Sequence, residues 1–192
     1  MGERWFRRNH AISMLSGRLH DAIKAYKYPP YRREWAYVFG RILLGYLDTH
    51  AAALGPLDTI IATPAYTGDG AHRDWDHVRR ILEVAADHDW LGAWPIDVSD
   101  PPAIIRTAAA QPLVGQTYRE RRNHAEVVIR PLLRVADPSR TAGKRIAVVD
   151  DVFTDGLTLR EVARALRLQG AAREVIGITL ARKGWDRPDD AI

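Results

Sequence analysis

The stretch RIAVVDDVFTDGLT at residues 145–158 decides the fold. Its first half is a continuous run of apolar, mostly β-branched residues, which is typical of a strand buried on both faces of a sheet. A turn at residues 154–156 leads into a helix whose apolar residues recur on one face, and the run EVIGITL at residues 174–180 is a second buried strand. Strand, helix and strand over this length predict a βαβ unit and therefore a parallel α/β sheet.

Chemistry-bearing residues follow the first of these strands directly. The strand ends on two acids, Asp150 and Asp151, at the edge where open α/β sheets bind their ligands. The next helix begins directly after Gly156, and a helix N-terminus offers unpaired N–H groups to an anion. The hydroxyls of Thr154 and Thr158 add further donors. Two carboxylates beside an anion site suit a sugar diol, a magnesium ion, or both.

Further elements are predicted upstream of this unit. Residues 57–63, LDTIIAT, predict a buried strand, and Asp74 is placed to cap the helix that follows. Residues 94–98 and 103–106 predict two short strands. Residues 107–122 show no clear period, which is typical of a functional loop or of a disordered segment.

The first 55 residues predict a helical N-terminal segment. One helix is predicted from the spacing of Ile12, Leu15, Leu19 and Ile23, and a second over residues 33–47. We therefore expect a single domain over residues 1–192, with a helical segment at 1–55 and an α/β core at 56–192.

Composition excludes several classes of function. The chain has 192 residues and no cysteine, which excludes a disulfide framework, a Cys-ligated zinc site and a thiol nucleophile. Its 28 Lys and Arg against 24 Asp and Glu give a net charge of +4, which suits small anionic ligands as readily as nucleic acid. No apolar stretch is long enough to span a membrane, and the N-terminus lacks the apolar core of a signal peptide. We expect a cytoplasmic protein.

The acid pair and the turn after it resemble the phosphoribosyl diphosphate (PRPP) signature of type I phosphoribosyltransferases: four apolar residues, two acids, two apolar residues and a small hydroxylic-Gly-x-Thr loop. Within that superfamily the chain resembles the ComF-like group, without its N-terminal zinc ribbon. The supporting segments are AIKAYKY at 22–28, FGRILLGYL at 39–47, Arg106-Thr107, Gln111, Leu113, RERRN at 119–123 and TLAR at 179–182.

The resemblance implies a Rossmann-like parallel sheet of the type I phosphoribosyltransferase kind, flanked by helices. It implies that Asp150 and Asp151 hold the ribose hydroxyls and place Mg²⁺, directly or through water. The residues implied for the 5-phosphate of PRPP are Thr154, Asp155, Gly156, Leu157 and Thr158. Those implied for pyrophosphate are Thr63, Pro64, Ala65 and Tyr66. Arg106, at the start of a flexible cover over residues 106–122, is implied as a catalytic residue together with the two acids.

The activity implied is a pentosyltransferase of nucleotide metabolism. With Mg²⁺ as cofactor it transfers the phosphoribosyl group of PRPP to an unidentified nucleobase-like small molecule and releases pyrophosphate. Catalysis in such enzymes is mostly positioning, water exclusion and charge stabilisation. Two alternatives stay open: a PRPP-sensing regulatory protein without turnover, and an accessory protein of DNA uptake or processing. A homodimer is compatible with the sequence, nucleic acid is a less favoured partner, and no membrane partner is expected.

Four features of the sequence leave questions open. Asp155 stands where the family usually has Thr or Ser, so its carboxylate either faces the phosphate, turns away, caps the helix or is protonated. The segment TGDGAHRDWDH at residues 67–77 replaces a proline-rich basic segment. Within it, His72 and His77 are a minor candidate for a metal site. Trp185 could stack on a base, although a packed side chain is the favoured interpretation.

Overall fold

A computed structural model describes residues 5–71, 73–110 and 117–184. It contains six strands in this part of the chain: β1 (Asn9–Met14), β2 (Thr59–Ala62), β3 (Ile104–Arg106), β4 (Leu133–Val135), β5 (Arg145–Phe153) and β6 (Glu174–Arg182). Four of them form a parallel sheet in the order β1-β6-β5-β2, while β3 and β4 form a separate antiparallel pair. The predicted parallel α/β fold is therefore confirmed.

Helices flank the sheet. They are α1 (Gly17–Lys27), α2 (Trp35–Thr49), α3 (Ala51–Leu54), α4 (His77–His88), α5 (Tyr118–His124) and α6 (Leu157–Leu168). Helix α5 continues into a π-helical turn, Ala125–Ile129, and a 3-10 turn, Arg130–Leu132, and a second 3-10 turn covers Pro138–Arg140. In the described residues, no helix has both the length and the apolar character to cross a membrane.

The sheet separates two cores, because successive side chains of a strand point to opposite faces. On one face Ala147 and Val149 of β5 pack in a cluster with residues of α1, α2 and α4. On the other face Ile146 and Val148 pack with residues of α6 and of the β3–β4 pair. The same alternation directs Asp150 and Asp151 to opposite faces, and Asp151 contacts Lys27 of α1 and His77 of α4.

The N-terminal segment is helical as predicted, but it begins with a strand. Residues Asn9–Met14, part of which was predicted as helix, form the edge strand β1 and pair in parallel with β6. The first helix starts only at Gly17. Pairing with a distant strand overrides the local apolar spacing that favoured a helix. The single-domain organisation stays a prediction.

Of three smaller predictions, two were wrong and one is confirmed. Asp74 does not cap α4: Asp76 does, by accepting a hydrogen bond from the N–H of Arg79, while Asp74 pairs with Arg33. Residues 94–98 form no strand beyond a single parallel bridge between Ile96 and Ile60. The strand predicted at residues 103–106 exists as β3 but pairs with β4 outside the main sheet.

Candidate functional site

The carboxyl ends of β2 and β5 place two predicted loops side by side. Ala62, the last residue of β2, is in register with Val149 of β5. The N–H of Thr63 then donates to the carbonyl of Val149 at 2.8 Å. The segment predicted to receive pyrophosphate, residues 63–66, therefore starts next to Asp150, at the edge where ligands bind in such sheets.

A cleft of about 440 Å³ opens beside this loop. Pro64, Ala65 and Tyr66 line it together with Arg106 at the end of β3. The structure thus brings the predicted pyrophosphate loop and the predicted catalytic arginine to one cavity. The described residues that line the cleft include neither Asp150 nor the turn at residues 154–158.

Asp151 points inward, away from solvent. It is 3% exposed and forms an ion pair with Nζ of Lys27 at 2.5 Å. Its Oδ2 also lies 3.1 Å from Nε2 of His77, and its Oδ1 accepts a hydrogen bond from the N–H of Val152 at 2.8 Å. Strand alternation directs this side chain at α1 and α4, so it is buried although it stands at the ligand-binding edge of the sheet.

The surroundings of Asp151 fix its charge and that of His77. Burial raises the pKa of Asp151, but the charge of Lys27 and the hydrogen bond from His77 outweigh it and hold that pKa well below its usual value. Burial lowers the pKa of His77 more than Asp151 raises it, which favours a neutral ring. With its proton on Nε2, a neutral His77 donates to Asp151 and accepts at Nδ1 from Nη1 of Arg73, 3.4 Å away.

Asp150 leaves the strand on the opposite face and is half-buried. Its Oδ1 accepts a hydrogen bond from the N–H of Asp151 at 2.9 Å, and no cation of the described residues forms an ion pair with it. Burial and the neighbouring charge of Asp151 raise the pKa of Asp150 to about 7. Of the two acids, Asp150 is the one whose carboxylate lacks a cationic partner and stays open to a ligand.

The turn after β5 is built around Gly156. This glycine precedes α6 with φ +74°, and a Cβ at this position would lie 2.7 Å from Cζ of Phe153. Both the backbone conformation and the close approach therefore require glycine. Thr154 and Thr158, predicted phosphate ligands on either side of it, are exposed. Leu157 is buried, so only its backbone N–H can serve an anion.

Asp155 already uses part of this anion site. Its Oδ1 accepts a hydrogen bond from the N–H of Leu157 at 3.1 Å, and its Oδ2 pairs with Nε of Arg121 at 2.8 Å. The sequence left several orientations of the Asp155 side chain open. In the structure its carboxylate accepts a hydrogen bond from the first N–H of α6 and pairs with a cation from α5.

Residues 117–132 pack against α6 through a network of charges. A capping box between Thr117 and Glu120 begins α5, so the end of the predicted loop at residues 107–122 is helical. Arg130 binds the buried Glu161 of α6 with two hydrogen bonds, at 2.8 and 3.3 Å. Glu126 accepts hydrogen bonds from Arg122 and Arg160. The helical end of the predicted cover is thus continuous with a segment, residues 125–132, that is attached to the helix that begins at the phosphate turn.

Sequence reasoning did not single out Lys27, Arg73 or His77 as partners of the acid pair. Strand alternation could have indicated that one acid of an adjacent pair faces inward, but no local pattern links that acid to these residues. Four residues singled out from the sequence lie outside the described residues: His72, Gln111, Leu113 and Trp185.

Oxygen ligands for Mg²⁺ are few in this site. No group of three or more His, Asp or Glu side chains that could hold a metal occurs in residues 5–71, 73–110 and 117–184. Mg²⁺ is nevertheless often held by one or two carboxylates together with substrate phosphates. Asp150 fits that role, whereas Asp151 is engaged by Lys27, His77 and the N–H of Val152.

Comparisons with known proteins bear on this geometry. The family model described as a phosphoribosyl transferase domain matches residues 105–191, which include the acid pair, the turn and α6. A solved structure, "structure of the allosteric regulatory enzyme of purine biosynthesis", is similar at 16% identity with a TM-score of 0.40. That match covers 76% of this chain and 25% of that one, so the chain spans about a quarter of that enzyme's length. The comparison with curated proteins gives no match.

The family match supports the phosphoribosyltransferase kind of α/β fold predicted from the motif. The assignment to the ComF-like group and the roles of the individual site residues stay predictions.

Proposed function

We propose that the protein binds PRPP and transfers its phosphoribosyl group to a small nucleobase-like acceptor, with pyrophosphate as the leaving group. One observation carries the proposal: Asp150 at the carboxyl end of β5 is followed by the Gly156 turn into α6, within the stretch that matches the phosphoribosyl transferase domain. This order of acid, glycine turn and helix N-terminus suits a ribose diol next to a phosphate.

The three parts of the donor are assigned to three places at one edge of the sheet. The 5-phosphate binds at residues 154–158, the ribose hydroxyls bind Asp150, and the pyrophosphate binds at residues 63–66 with Arg106 above the cleft. Asp151 has a different role from the one implied by the resemblance: its contacts with Lys27 and His77 make it a positioning residue.

In this proposal Mg²⁺ binds together with the substrate. Asp150 is the residue that would hold it, and the ion, when bound, would neutralise charge on the departing pyrophosphate. The chain itself orients the donor between the phosphate turn and the pyrophosphate loop. Arg106 places a positive charge where negative charge develops as pyrophosphate leaves. The catalytic contribution expected of these groups is orientation and charge stabilisation.

Calorimetric titration with PRPP in the presence of Mg²⁺ tests donor binding, and a screen of nucleobases for pyrophosphate release tests transfer. We expect saturable PRPP binding that Asp150→Asn strongly weakens. Asp74→Asn is the matched control, because Asp74 is exposed and pairs with Arg33 away from the sheet edge. A wild-type protein that does not bind PRPP would refute the proposal.

A second candidate is a PRPP-binding regulatory protein without turnover. The observation that favours it is Asp155, whose carboxylate takes the Leu157 N–H and pairs with Arg121 at the phosphate turn. PRPP binding without pyrophosphate release for any acceptor would identify this function. The DNA-accessory alternative stays a hypothesis from the sequence, and steeply salt-dependent DNA binding would support it.

A further inference from the structure

Two half-buried arginines near the site, Arg73 and Arg106, form no ion pair with a carboxylate of the described residues. Nε of Arg73 and Nε of Arg106 are buried without a hydrogen-bond acceptor, and no other guanidinium nitrogen of the described residues is in that state. The other contacts of Arg73 are Nδ1 of His77 and the ring of Tyr28. A buried donor without an acceptor is unfavourable, and such a group marks a place where a ligand can supply one.

Other arginines of similar burial are paired. Arg130 binds Glu161, Arg140 binds Asp97, Arg145 binds Glu174, and Arg160 binds Glu126. Arg164, also half-buried, instead lies over the ring of Trp5, so pairing with a carboxylate is common but not universal among the half-buried guanidinium groups of the described residues. Arg73 and Arg106 differ from all of these because Nε of each is buried without an acceptor, which points to an anion that the described residues do not themselves provide.

The two guanidinium groups lie close enough to influence each other. Burial, followed by the charge of Arg73, lowers the pKa of Arg106. Arg106 also lines the cleft beside Pro64, Ala65 and Tyr66. Two neighbouring like charges repel each other unless an anion lies between them, and planar guanidinium groups suit the oxygens of a phosphate.

A continuous chain of contacts connects Arg73 to the acid pair. Lys27 pairs with Asp151 at 2.5 Å, Asp151 accepts from Nε2 of His77 at 3.1 Å, and Nδ1 of His77 lies 3.4 Å from Nη1 of Arg73. Both His77 and Asp151 are buried, so these contacts are shielded from water. The inward acid thereby fixes the orientation of the imidazole, and the imidazole fixes that of the guanidinium.

We propose that Arg73 and Arg106 together bind the diphosphate group of the donor, and that His77, held by Asp151, is the positioning residue for Arg73. This inference rests on the proposed function for the identity of the anion. It adds Arg73 to the binding residues, and it explains why Asp151 faces inward. Asp151 acts on the diphosphate end of the donor through His77, while Asp150 acts on the ribose.

The first test compares three titrants by calorimetry with Mg²⁺ present: PRPP, inorganic pyrophosphate and ribose 5-phosphate. Arg73→Met is expected to weaken PRPP and pyrophosphate binding about 10- to 100-fold, the loss expected for charge-assisted hydrogen bonds, and to leave ribose 5-phosphate binding unchanged. Arg33→Met is the matched control, since Arg33 pairs with the exposed Asp74 of the same segment. It should bind all three titrants as the wild type does.

The second test separates positioning from a structural role of His77. His77→Gln retains an amide donor for Asp151 but no acceptor at the position of Nδ1. We expect this variant to weaken pyrophosphate binding less than Arg73→Met does. The double variant Arg73→Met/His77→Gln should bind pyrophosphate as weakly as Arg73→Met alone, with no further loss of affinity. Thermal unfolding of each variant checks that it is folded, and His77→Leu, which also has no acceptor at the position of Nδ1, replaces His77→Gln if the latter is not.

The outcomes distinguish this inference from the proposed function. Wild-type affinity of Arg73→Met for pyrophosphate overturns the role of Arg73, even where the wild type binds PRPP. Additive losses in the double variant overturn the positioning role of His77. A wild-type protein that binds pyrophosphate through Arg73 but not PRPP supports the anion site and refutes the proposed function. Binding of neither titrant overturns both.

Discussion

The two faces of the sheet at the end of β5 differ, although each carries one aspartate of an adjacent pair. On the face of α1 and α4, Asp151 is buried and bound by Lys27 and His77. On the face of α6, Asp150 is half-buried and has no ion-pair partner among the described residues. The adjacent residues Asp150 and Asp151 thus have identical side chains in opposite environments, one without an ion-pair partner and one buried against cationic and neutral donors.

The difference shows how a fold assigns separate roles to a pair of acids. The pKa of Asp151 is lowered by its cationic partner, whereas burial and the charge of Asp151 raise that of Asp150 to about 7. An acid satisfied inside the protein can position other groups, and an acid without a partner can accept a ligand. Replacing both at once would confound the two roles, so single variants are needed.

The largest expected effect is on stability. Asp151→Asn removes the charge that Lys27 neutralises and leaves a largely buried ammonium group unpaired. We expect a loss of about 3 kcal/mol in the free energy of unfolding, at the lower end for broken buried pairs because Lys27 is partly exposed. The unfolding temperature should fall by roughly 6–12 °C. Urea and thermal unfolding measure both quantities.

Asp150→Asn is the matched control for this variant, because the same chemical change occurs one residue away. Its carboxylate has no cation to lose, so the free energy of unfolding at neutral pH should stay constant or rise. Equal destabilisation by the two substitutions would contradict the contrast between the two faces.

The second prediction concerns pH. Asp150 has a folded-state pKa of about 7 against an ordinary value of 3.8, so folding favours its protonated form. Its contribution to stability is present below about pH 4 and is lost as the pH rises through 7. Relative to Asp150→Asn, the free energy of unfolding of the wild type should fall by about 2 kcal/mol across this window. A fully buried group would lose about 1.4 kcal/mol for each pH unit, and the loss here is smaller because the side chain is half-buried.

Urea unfolding of both proteins at several pH values between 4 and 8 measures this difference, and groups common to both proteins cancel. Asp74→Asn is expected to show no such divergence from the wild type. A wild type that gains stability relative to Asp150→Asn as the pH rises would show that the pKa of Asp150 is lowered, contrary to its surroundings.

The βαβ unit at the end of the chain was predictable from the sequence, because each of its elements has a local signal. The apolar runs of β5 and β6, the glycine before α6 and the periodic face of that helix all lie within one short stretch. β1 was not predictable in this way. Its strand conformation depends on pairing with β6, illustrated by the bond between Asn9 and Thr179, 170 residues apart.

The candidate site also contains features with a local sequence signal and features that depend on distant contacts. The acid pair and the phosphate turn were found from local order, and the inward direction of Asp151 could have been found from strand alternation. Its partners could not, since His77 lies 74 residues away and no local pattern links the two. Arg73 lies beyond His77 in the same chain of contacts, so packing of the whole fold was needed to reveal it.

The smallest expected effect concerns Asp155, on the face of Asp150. Asp155→Thr removes the carboxylate that accepts from the Leu157 N–H and pairs with Arg121, so the Leu157 N–H becomes available to a phosphate. The ion pair is partly exposed, and its loss should cost less than about 1 kcal/mol of stability. We expect the affinity for ribose 5-phosphate, measured by calorimetry, to rise about two- to tenfold, the range of one net hydrogen bond.

Asp155→Asn separates the two causes of that gain, because its amide oxygen can still accept from the Leu157 N–H but carries no charge. An equal rise in both variants would show that charge repulsion limits phosphate binding at this turn. A rise in Asp155→Thr alone would show that competition for the N–H limits it. A fall in both would mean that Asp155 assists binding, through Mg²⁺ or through the position of Arg121, and that this turn holds its phosphate differently from the family it resembles.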